Sequence, residues 1–262
     1  MSGTSTLVVF LAGVVAGLIN SVAGGGTLLS FPTLVWLGRD PIVANVTNTV
    51  ALWPGSFASM IGFRRELRGG GPMLLLLGAP SLVGGLAGAV LLLRTSSRTF
   101  SIVVPYLVLF ATVLFAAQGP ITRRLHRWTH VPPPTAAASA SRRWMVGAVL
   151  FQFLVALYGG YFGAGIGIIM LAALGLLGVT DILEMNGLKN AFAFCINAVA
   201  ATYFTFQGNV SWTDALVLGV GAIVGGYGGA GVARRVGRAT VRRAVVVIGF
   251  AMAASLLWRT RG

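Results

Sequence analysis

The chain has 262 residues, of which 56% are hydrophobic and 9% are charged, with a formal net charge of +14. A soluble domain usually carries about 25% charged residues, so five acidic residues are too few to cover a water-exposed surface. The basic residues lie in short arginine clusters beside apolar runs, as they do where membrane spans meet lipid headgroups. They form no basic face with interleaved aromatic residues. The composition therefore predicts a polytopic integral membrane protein in a lipid bilayer and excludes nucleic-acid binding.

The first apolar stretch, Leu7–Leu37, is too long for one membrane span, and glycines break it at Ala23–Gly26. Met1–Thr6 lacks the basic segment of a signal peptide, which predicts a retained first membrane segment. Three apolar segments follow, and each approaches the ~20 residues that a helix needs to cross the hydrocarbon. They lie near Asn45–Phe63, Met73–Leu93 and Phe100–Gln118.

A segment rich in proline, alanine and arginine, Gly119–Arg143, comes next and is typical of a flexible polar connector. Its His126 and His130 have the spacing of a shared metal site, but no third ligand lies nearby, so no metal or other cofactor is predicted. A second long stretch, Trp144–Leu177, is broken at Gly163–Gly167, and three more full spans follow it. They lie near Asn186–Phe206, Ala215–Val232 and Val241–Trp258.

The two halves of the chain are related by a constant offset of 141 residues, which places Asn45 on Asn186 and Gly84 on Gly225. A register without gaps over about 70 positions indicates an internal duplication. We therefore predict an all-α polytopic membrane protein made of a first transmembrane repeat, a basic cytoplasmic linker and a second transmembrane repeat. These domains are residues 1–118, 119–143 and 144–262, respectively.

The arginine distribution distinguishes two orientations of the repeats. If each broken stretch crosses the membrane once, the repeats are parallel and the arginines divide ten to eight between the two faces. If each broken stretch enters and returns, the repeats are inverted and the division becomes thirteen to five, which the positive-inside rule prefers. We predict inverted repeats, each a hairpin of short half-helices plus three transmembrane helices, with both termini outside. A glycine hinge inside a single tilted span is the competing interpretation.

The glycine breaks mark the predicted centre of the molecule, because irregular backbone survives at membrane depth only beside protein or a water-filled cavity. A helix that begins at such a break presents unpaired N–H groups and the positive end of its dipole to an anion. Inverted-repeat transporters use paired broken helices in this way. For two other groups of glycines we favour close helix packing instead. These are Gly84, Gly85, Gly88, Gly225, Gly226, Gly228 and Gly229.

Polar side chains lie beside the first break, and a polar patch opens the helix that follows each predicted hairpin. In the second half, spacings of three, four and seven residues place Lys189 and three asparagines on one helical stripe. Lys189 either completes the anion site or pairs with Glu184, and their five-residue separation favours the anion role. Interhelical hydrogen bonding is the alternative role for the amides. The predicted substrate-binding residues are Asn20, Ser21, Gly24, Gly25, Gly26, Thr27, Asn45, Asn48, Thr49, Gly163, Gly165, Gly167, Asn186, Lys189, Asn190 and Asn197.

Five short motifs stand beside the breaks. They are NSVAGGGT at 20–27, ANVTN at 44–48, PGS at 54–56, LKN at 188–190 and IN at 196–197. Together they resemble the TauE/SafE family of sulfite-exporter-like permeases, over essentially the whole chain. The resemblance implies transport of small sulfur-containing anions, such as sulfite, sulfonates or sulfoacetate, across the cytoplasmic membrane. Two departures bear on the substrate: Thr49 stands where many relatives have lysine, and the second break is not an unbroken glycine triplet.

The sequence has no ATP-binding phosphate loop, so we predict a secondary carrier for a small anionic substrate in the inner membrane. An enzyme is not predicted, because both histidines lie in the linker and the acids lie at segment ends. The alternatives are a permease for another small organic anion and a non-transporting scaffold or assembly subunit. Asp40, Asp181 and Glu184 are either proton carriers or ordinary interfacial acids. The coupling ion, proton or sodium, and a homo-oligomeric state stay open.

Overall fold

The computed structural model describes residues 3–22, 25–62, 64, 67, 71–128, 142–177, 179, 181–236 and 238–261. In chain order their helices are α1 (Gly3–Val22), α2 (Thr27–Trp36), α3 (Pro41–Gly62), α4 (Gly71–Arg94), α5 (Ser97–Trp128), α6 (Arg142–Tyr161), α7 (Ile166–Leu176), α8 (Ile182–Gln207), α9 (Trp212–Val236) and α10 (Arg238–Arg261). This part of the chain contains no strand. The all-α class predicted from composition is confirmed.

Each of the six predicted spans corresponds to one long helix, namely α3, α4, α5, α8, α9 or α10. Among the described residues, three helical stretches are long and apolar enough to cross a membrane by length and composition. They are Gly3–Asn20, Gly71–Arg94 and Ser97–Ala117. Shorter apolar stretches lie in α2, α6, α7, α9 and α10. The described helices therefore have the apolar character of a multi-pass membrane protein.

Both predicted glycine breaks interrupt a helix, the first between α1 and α2 and the second between α6 and α7. Gly25 has φ 131°, and Gly163 and Gly165 have φ 80° and 79°, a region that glycine adopts without steric cost. The prediction of two short half-helices in each hairpin is wrong for the first arms. Helices α1 and α6 have 20 residues each, whereas α2 has 10 and α7 has 11. The glycines inside α1 serve helix packing, so they do not end that helix.

Close packing through glycine joins α1 to α9 and α4 to α6. A Cβ placed on Gly84 would lie 2.6 Å from the carbonyl oxygen of Phe153, and one on Gly225 would overlap the carbonyl of Val14. The packing role is confirmed for Gly84, Gly85, Gly88 and Gly225, whose added Cβ atoms would all meet backbone of the facing helix. It is wrong for Gly226, which has no such neighbour within 4 Å. The surroundings of Gly228 and Gly229 lie outside the described residues.

One end of the molecule, which we call the Asp214 end, joins the end of α2 to the start of α9. Asp214 is fully buried and accepts from Arg39 Nε at 2.6 Å and Nη2 at 3.3 Å. Ser211 Oγ donates to the same carboxylate at 2.8 Å, and Ser211 N donates to Thr47 Oγ1 at 3.0 Å. Hydrogen bonding to Asp214 raises the pKa of Arg39, which lies in the connection between α2 and α3, above its ordinary value.

The start of α1 also lies at the Asp214 end, because Phe10 packs against Gly221 early in α9. The opposite end, which we call the Leu67 end, lies one full length of α3 away. There Leu67 and Met73 pack in one apolar cluster with Leu174 and Val179 after the second break. The first broken stretch therefore begins and finishes near the Asp214 end, and the second finishes in the apolar cluster that contains Leu67.

Two acids considered as proton carriers cap helices. Asp40 Oδ1 accepts from Ile42 N at 2.9 Å at the start of α3, and Asp181 Oδ1 accepts from Leu183 N at 2.7 Å at the start of α8. Such capping satisfies backbone donors that a helix start leaves unpaired. These contacts agree with the interpretation of Asp40 and Asp181 as structural acids.

Part of the predicted connector is helical. Helix α5 continues through Gly119–Trp128, and α6 already begins at Arg142. Arginine is a good helix former, so the basic part of the segment extends α5 beyond its apolar stretch. Residues 129–141, with His130, and the side chain of His126 lie outside the described residues.

Candidate functional site

A cavity of about 800 Å³ lies between the two breaks. Its wall combines both breaks with α1, α3, α7, α8 and α9, and its volume is within the range of roughly 300–1,000 Å³ found for ligand pockets. Eleven of the predicted site residues line it. They are Asn20, Gly25, Thr27, Asn48, Thr49, Gly163, Gly165, Gly167, Lys189, Asn190 and Asn197. Residues from two distant parts of the sequence thus meet at one place.

Three predicted site residues do not face this cavity, namely Gly26, Asn45 and Asn186. Gly26 is packed against α1, where a Cβ would overlap the carbonyl of Ala16. Asn45 is 1% exposed, and Asn186 is linked to the wall by its hydrogen bond from Lys189. Gly24 and the side chain of Ser21 lie outside the described residues.

At the first break, the side chain of Asn20 accepts hydrogen bonds from backbone N–H groups that were predicted to bind the ligand. Its Oδ1 accepts from the N–H groups of Gly25 at 3.0 Å and Gly26 at 2.8 Å. A carboxamide oxygen here satisfies donors that have no intrahelical partner at a helix start. The first break therefore carries its own cap.

The second break has no equivalent asparagine cap. The residue equivalent to Asn20, 141 positions later, is Tyr161, the last residue of α6. Among the hydrogen bonds of the described residues, none uses the N–H groups of Gly165 or Gly167 as donors. Both glycines line the cavity. Helix α7 starts here, so its positive dipole end and its first N–H groups lie beside the cavity.

The loop at the second break is held in place by Tyr158. The hydroxyl of Tyr158 donates to the carbonyl of Ala164 at 2.6 Å. Its own carbonyl accepts from Phe162 N at 2.9 Å and Gly163 N at 3.2 Å. These bonds fix the turn that leads into α7, so its exposed donors are preorganised.

Lys189 reaches the second break from α8. A Cβ placed on Gly167 would lie 3.3 Å from Lys189 Cδ, so the lysine stem passes alongside the start of α7. Its Nζ donates to Asn186 Oδ1 at 3.2 Å. In the part of the chain that the structure describes, the one ion pair is Arg39–Asp214, which removes Glu184 as a partner of Lys189. The lysine therefore brings a positive charge to the cavity without a neutralising carboxylate.

Helices α3 and α8 cross beside the cavity through residues that are 141 positions apart. Asn197 Nδ2 donates to Ser56 Oγ at 3.3 Å. The rings of Trp53 and Phe194 stack with centroids 6.2 Å apart and an interplanar angle of 17°. Ser56 and Asn197 both line the cavity, so the hydrogen bond that ties the two helices is part of its wall.

Asn48 connects the cavity to α2. Its Nδ2 donates to Thr27 Oγ1 at 3.4 Å, and its Oδ1 accepts from the hydroxyl of Ser30. Ser30 and Asn48 are buried. The amide therefore links α2 to α3 through hydrogen bonds and also lines the cavity.

Small residues on α1 and α9 form a wall that the sequence reasoning missed. Gly17 contributes from α1, and Gly219, Ala222 and Gly226 contribute from α9. The three residues on α9 are spaced by three and four positions, which places them on one helical face. Their common orientation could therefore have been predicted from the sequence. The remaining wall is largely apolar, with Ile166, Ile168, Leu171 and Ile223 among its members.

The arrangement combines one cation, open backbone donors and several amides with an apolar surface. It is suited to holding the charged group of a small anion at the second break and a carbon-bearing part against the apolar wall. Among the residues that the structure describes, no three His, Cys, Asp or Glu side chains come together as a metal site.

Comparison with known proteins gives a whole-chain match. A family model described as "Sulfite exporter TauE/SafE" matches residues 9–256. A probable membrane transporter protein of Haemophilus influenzae is 26% identical over 96% of this chain and 94% of its own length. The probable membrane transporter proteins ORF9 of Sinorhizobium and YfcA of Escherichia coli are each 26% identical, over 95% and 97% of this chain and 90% of their own lengths. No solved structure matches.

Proposed function

Because the chain belongs to the sulfite exporter TauE/SafE family, we propose that it is a secondary transporter for small sulfur-containing anions. Sulfite, sulfonates and sulfoacetate are the proposed substrates, and the cytoplasmic (inner) membrane is the proposed location. The names of the relatives, all probable membrane transporter proteins, and the apolar helical stretches support transport across a membrane.

The position of Lys189 is the observation that supports an anionic substrate. A lysine within a span is costly, by roughly 2.5–3.5 kcal/mol on insertion scales, and here it faces a cavity without a carboxylate partner among the described residues. The start of α7, with the open N–H group of Gly167, lies beside it. A sulfonate or sulfite group, with several acceptor oxygens on one charged centre, matches a cation surrounded by neutral donors.

We further propose that the two halves are inverted repeats. The packing of α1 on α9 has its equivalent, at an offset of 141 residues, in the packing of α6 on α4. The return of the first broken stretch to the Asp214 end and of the second to the Leu67 end supports opposite orientations. The cavity wall uses the middle of α3 and α8 and no residue of 38–47 or 208–215.

Cysteine labelling tests the orientation. In a background with Cys195 replaced by serine, Arg64→Cys and Asn209→Cys each place one thiol in an exposed connection. An impermeant thiol reagent added to intact cells should label only Asn209→Cys, and Arg64→Cys only after permeabilisation. Equal labelling of both from outside would restore parallel repeats.

Uptake into proteoliposomes tests the transport proposal. Radiolabelled sulfite and sulfoacetate should accumulate in vesicles containing the wild-type protein, and Lys189→Gln should abolish most of this uptake. Arg98→Gln is the matched control, because it also removes one positive charge but from an exposed residue at the start of α5. Wild-type vesicles that take up neither anion, nor any other small organic anion, would favour the scaffold alternative.

A further inference from the structure

The side chain of Asn45 carries a buried oxygen without a partner. Asn45 is 1% exposed on α3, and its Nδ2 donates to the carbonyl of Tyr161 at 2.9 Å. Its Oδ1 is buried and, within the described part of the chain, has no hydrogen-bond donor. Buried acceptors normally have a donor or a cation beside them, since desolvation without a partner is unfavourable. The anion site does not use this oxygen, because Asn45 is not part of the cavity wall.

The residue 141 positions later shows what is missing at Asn45. Asn186 Oδ1 accepts from the Lys189 ammonium at 3.2 Å, so the equivalent amide oxygen has a cation on it. The position equivalent to Lys189 in the first half is Asn48, which is neutral. The first half therefore has the amide oxygen of Asn45 but a neutral residue at the position equivalent to Lys189.

The surroundings of Asn45 favour a cation over a further donor. Helix α6 ends at Tyr161, so the carbonyl that Asn45 contacts belongs to the negative end of a helix dipole. One turn further along α3, the side chain of Asn48 forms hydrogen bonds with the hydroxyls of Thr27 and Ser30. The groups in these hydrogen bonds are neutral, and their oxygens are hard ligands of the kind that alkali and alkaline-earth ions prefer.

We propose that Asn45 Oδ1 is a ligand of a bound Na⁺, which takes the place that the Lys189 ammonium has in the other half. A monovalent ion fits because the described hydrogen-bond partners of the Asn45 and Asn48 side chains are a backbone carbonyl and two hydroxyls, with no carboxylate among them. A proton does not fit, because amide and hydroxyl oxygens do not hold one at neutral pH. Half-helix C-terminal ends and unwound carbonyls bind coupling ions in other broken-helix transporters.

This site would couple the cation to the anion, an interpretation that rests on the proposed transport function. Asn48 is one helical turn from Asn45 and also lines the cavity. Na⁺ at Asn45 would order Asn48 and the start of α2, so the cavity would bind the anion more tightly when the cation is present.

Thermal stability of the purified protein tests the cation site without any substrate. NaCl should raise the wild-type melting temperature more than equal concentrations of KCl or choline chloride. Asn45→Leu should weaken the Na⁺ response by roughly 10–100-fold in concentration, as changes around metal ligands do. Gln152→Leu is the matched control, because Gln152 is also a buried amide, bonded to Ser81 away from this site, and it should keep the full response.

A second variant supplies the missing charge. Asn48→Lys copies the other half, so its melting temperature in choline chloride should reach or exceed that of the wild type, and added NaCl should have no specific effect. A wild-type protein without Na⁺-specific stabilisation overturns the proposal, as does an unchanged Na⁺ response in Asn45→Leu or Asn48→Lys. Failure of anion uptake with the Na⁺ response intact would instead count against the proposed function alone.

Discussion

The two glycine breaks occupy equivalent places in the two halves and have different chemistry. At the first break, Asn20 caps the N–H groups of Gly25 and Gly26, and no cationic side chain lines the cavity there. At the second break, the N–H groups of Gly165 and Gly167 have no acceptor among the described residues, and the Lys189 side chain lies beside Gly167.

The difference shows how a duplicated helix break can be specialised by single residues. Replacing one cap asparagine by tyrosine exposes the donors of a helix start, and replacing one amide by lysine adds the charge that an anion needs. The backbone geometry, a glycine turn before a short helix, is retained in both halves. We therefore propose that the anion binds at the second break and that the first break has a mainly structural role.

The largest effect is expected at Lys189. Lys189→Gln should weaken binding of a sulfonate by about 1.5–3 kcal/mol, or roughly 10–150-fold in Kd, because it removes a charged hydrogen-bond donor. Glu184→Gln should change Kd little, since Glu184 forms no ion pair with Lys189. Calorimetry on the purified variants measures both. Wild-type affinity in Lys189→Gln would end the assignment of the anion to the second break.

A smaller effect is expected from crowding the second break. Gly167→Val places methyl groups against Lys189 Cδ without requiring a positive φ, so Kd should rise by about tenfold while the fold is retained. Gly88→Ala is the contrasting variant, because its Cβ would overlap the carbonyl of Leu157. It should cost about 1–3 kcal/mol of stability and leave Kd unchanged. Gly25→Val cannot serve here, since Gly25 has φ 131° and a Cβ would lie 2.7 Å from Phe115.

The smallest effect on affinity is expected at the first break. Asn20→Ala removes the cap of α2 and should destabilise the protein by about 0.5–2 kcal/mol, seen as a lower melting temperature. Its effect on anion Kd should stay below about twofold, a few tenths of a kcal/mol. If Asn20→Ala weakened anion binding as strongly as Lys189→Gln, the two breaks would have to be regarded as one shared site.

Much of the architecture could be predicted because the membrane constrains it locally. A long apolar run predicts a helix, and a glycine group inside such a run predicts a break, so six spans and both breaks were found from the sequence. The full length of α1 and α6 could not be predicted. It depends on the facing helices, whose backbones approach the glycines of α1 and α6 closely.

The site residues also divide into those that a local sequence pattern predicts and those that depend on tertiary contacts. Lys189, Asn190 and Asn197 follow from helical spacing, which is a property of one segment. The cap formed by Asn20 depends on the turn that returns the chain to it, and the place of Gly226 in the cavity wall depends on how α9 packs against other helices. Tertiary contacts of this kind leave no periodic signal in the sequence.

The packing of α1 on α9 has a consequence for how the protein is made. Gly13 meets Leu218, so α1 enters the bilayer long before its partner has been synthesised. At about 5–20 residues per second, the ribosome needs roughly 10–40 s to reach α9 after completing α1. During that time we expect the glycine face of α1 to lack the helix that it packs against in the folded protein. Helix α6 of the second half packs in the same way on α4 of the first half. The two halves must therefore assemble together, and we expect neither half to be stable when expressed alone.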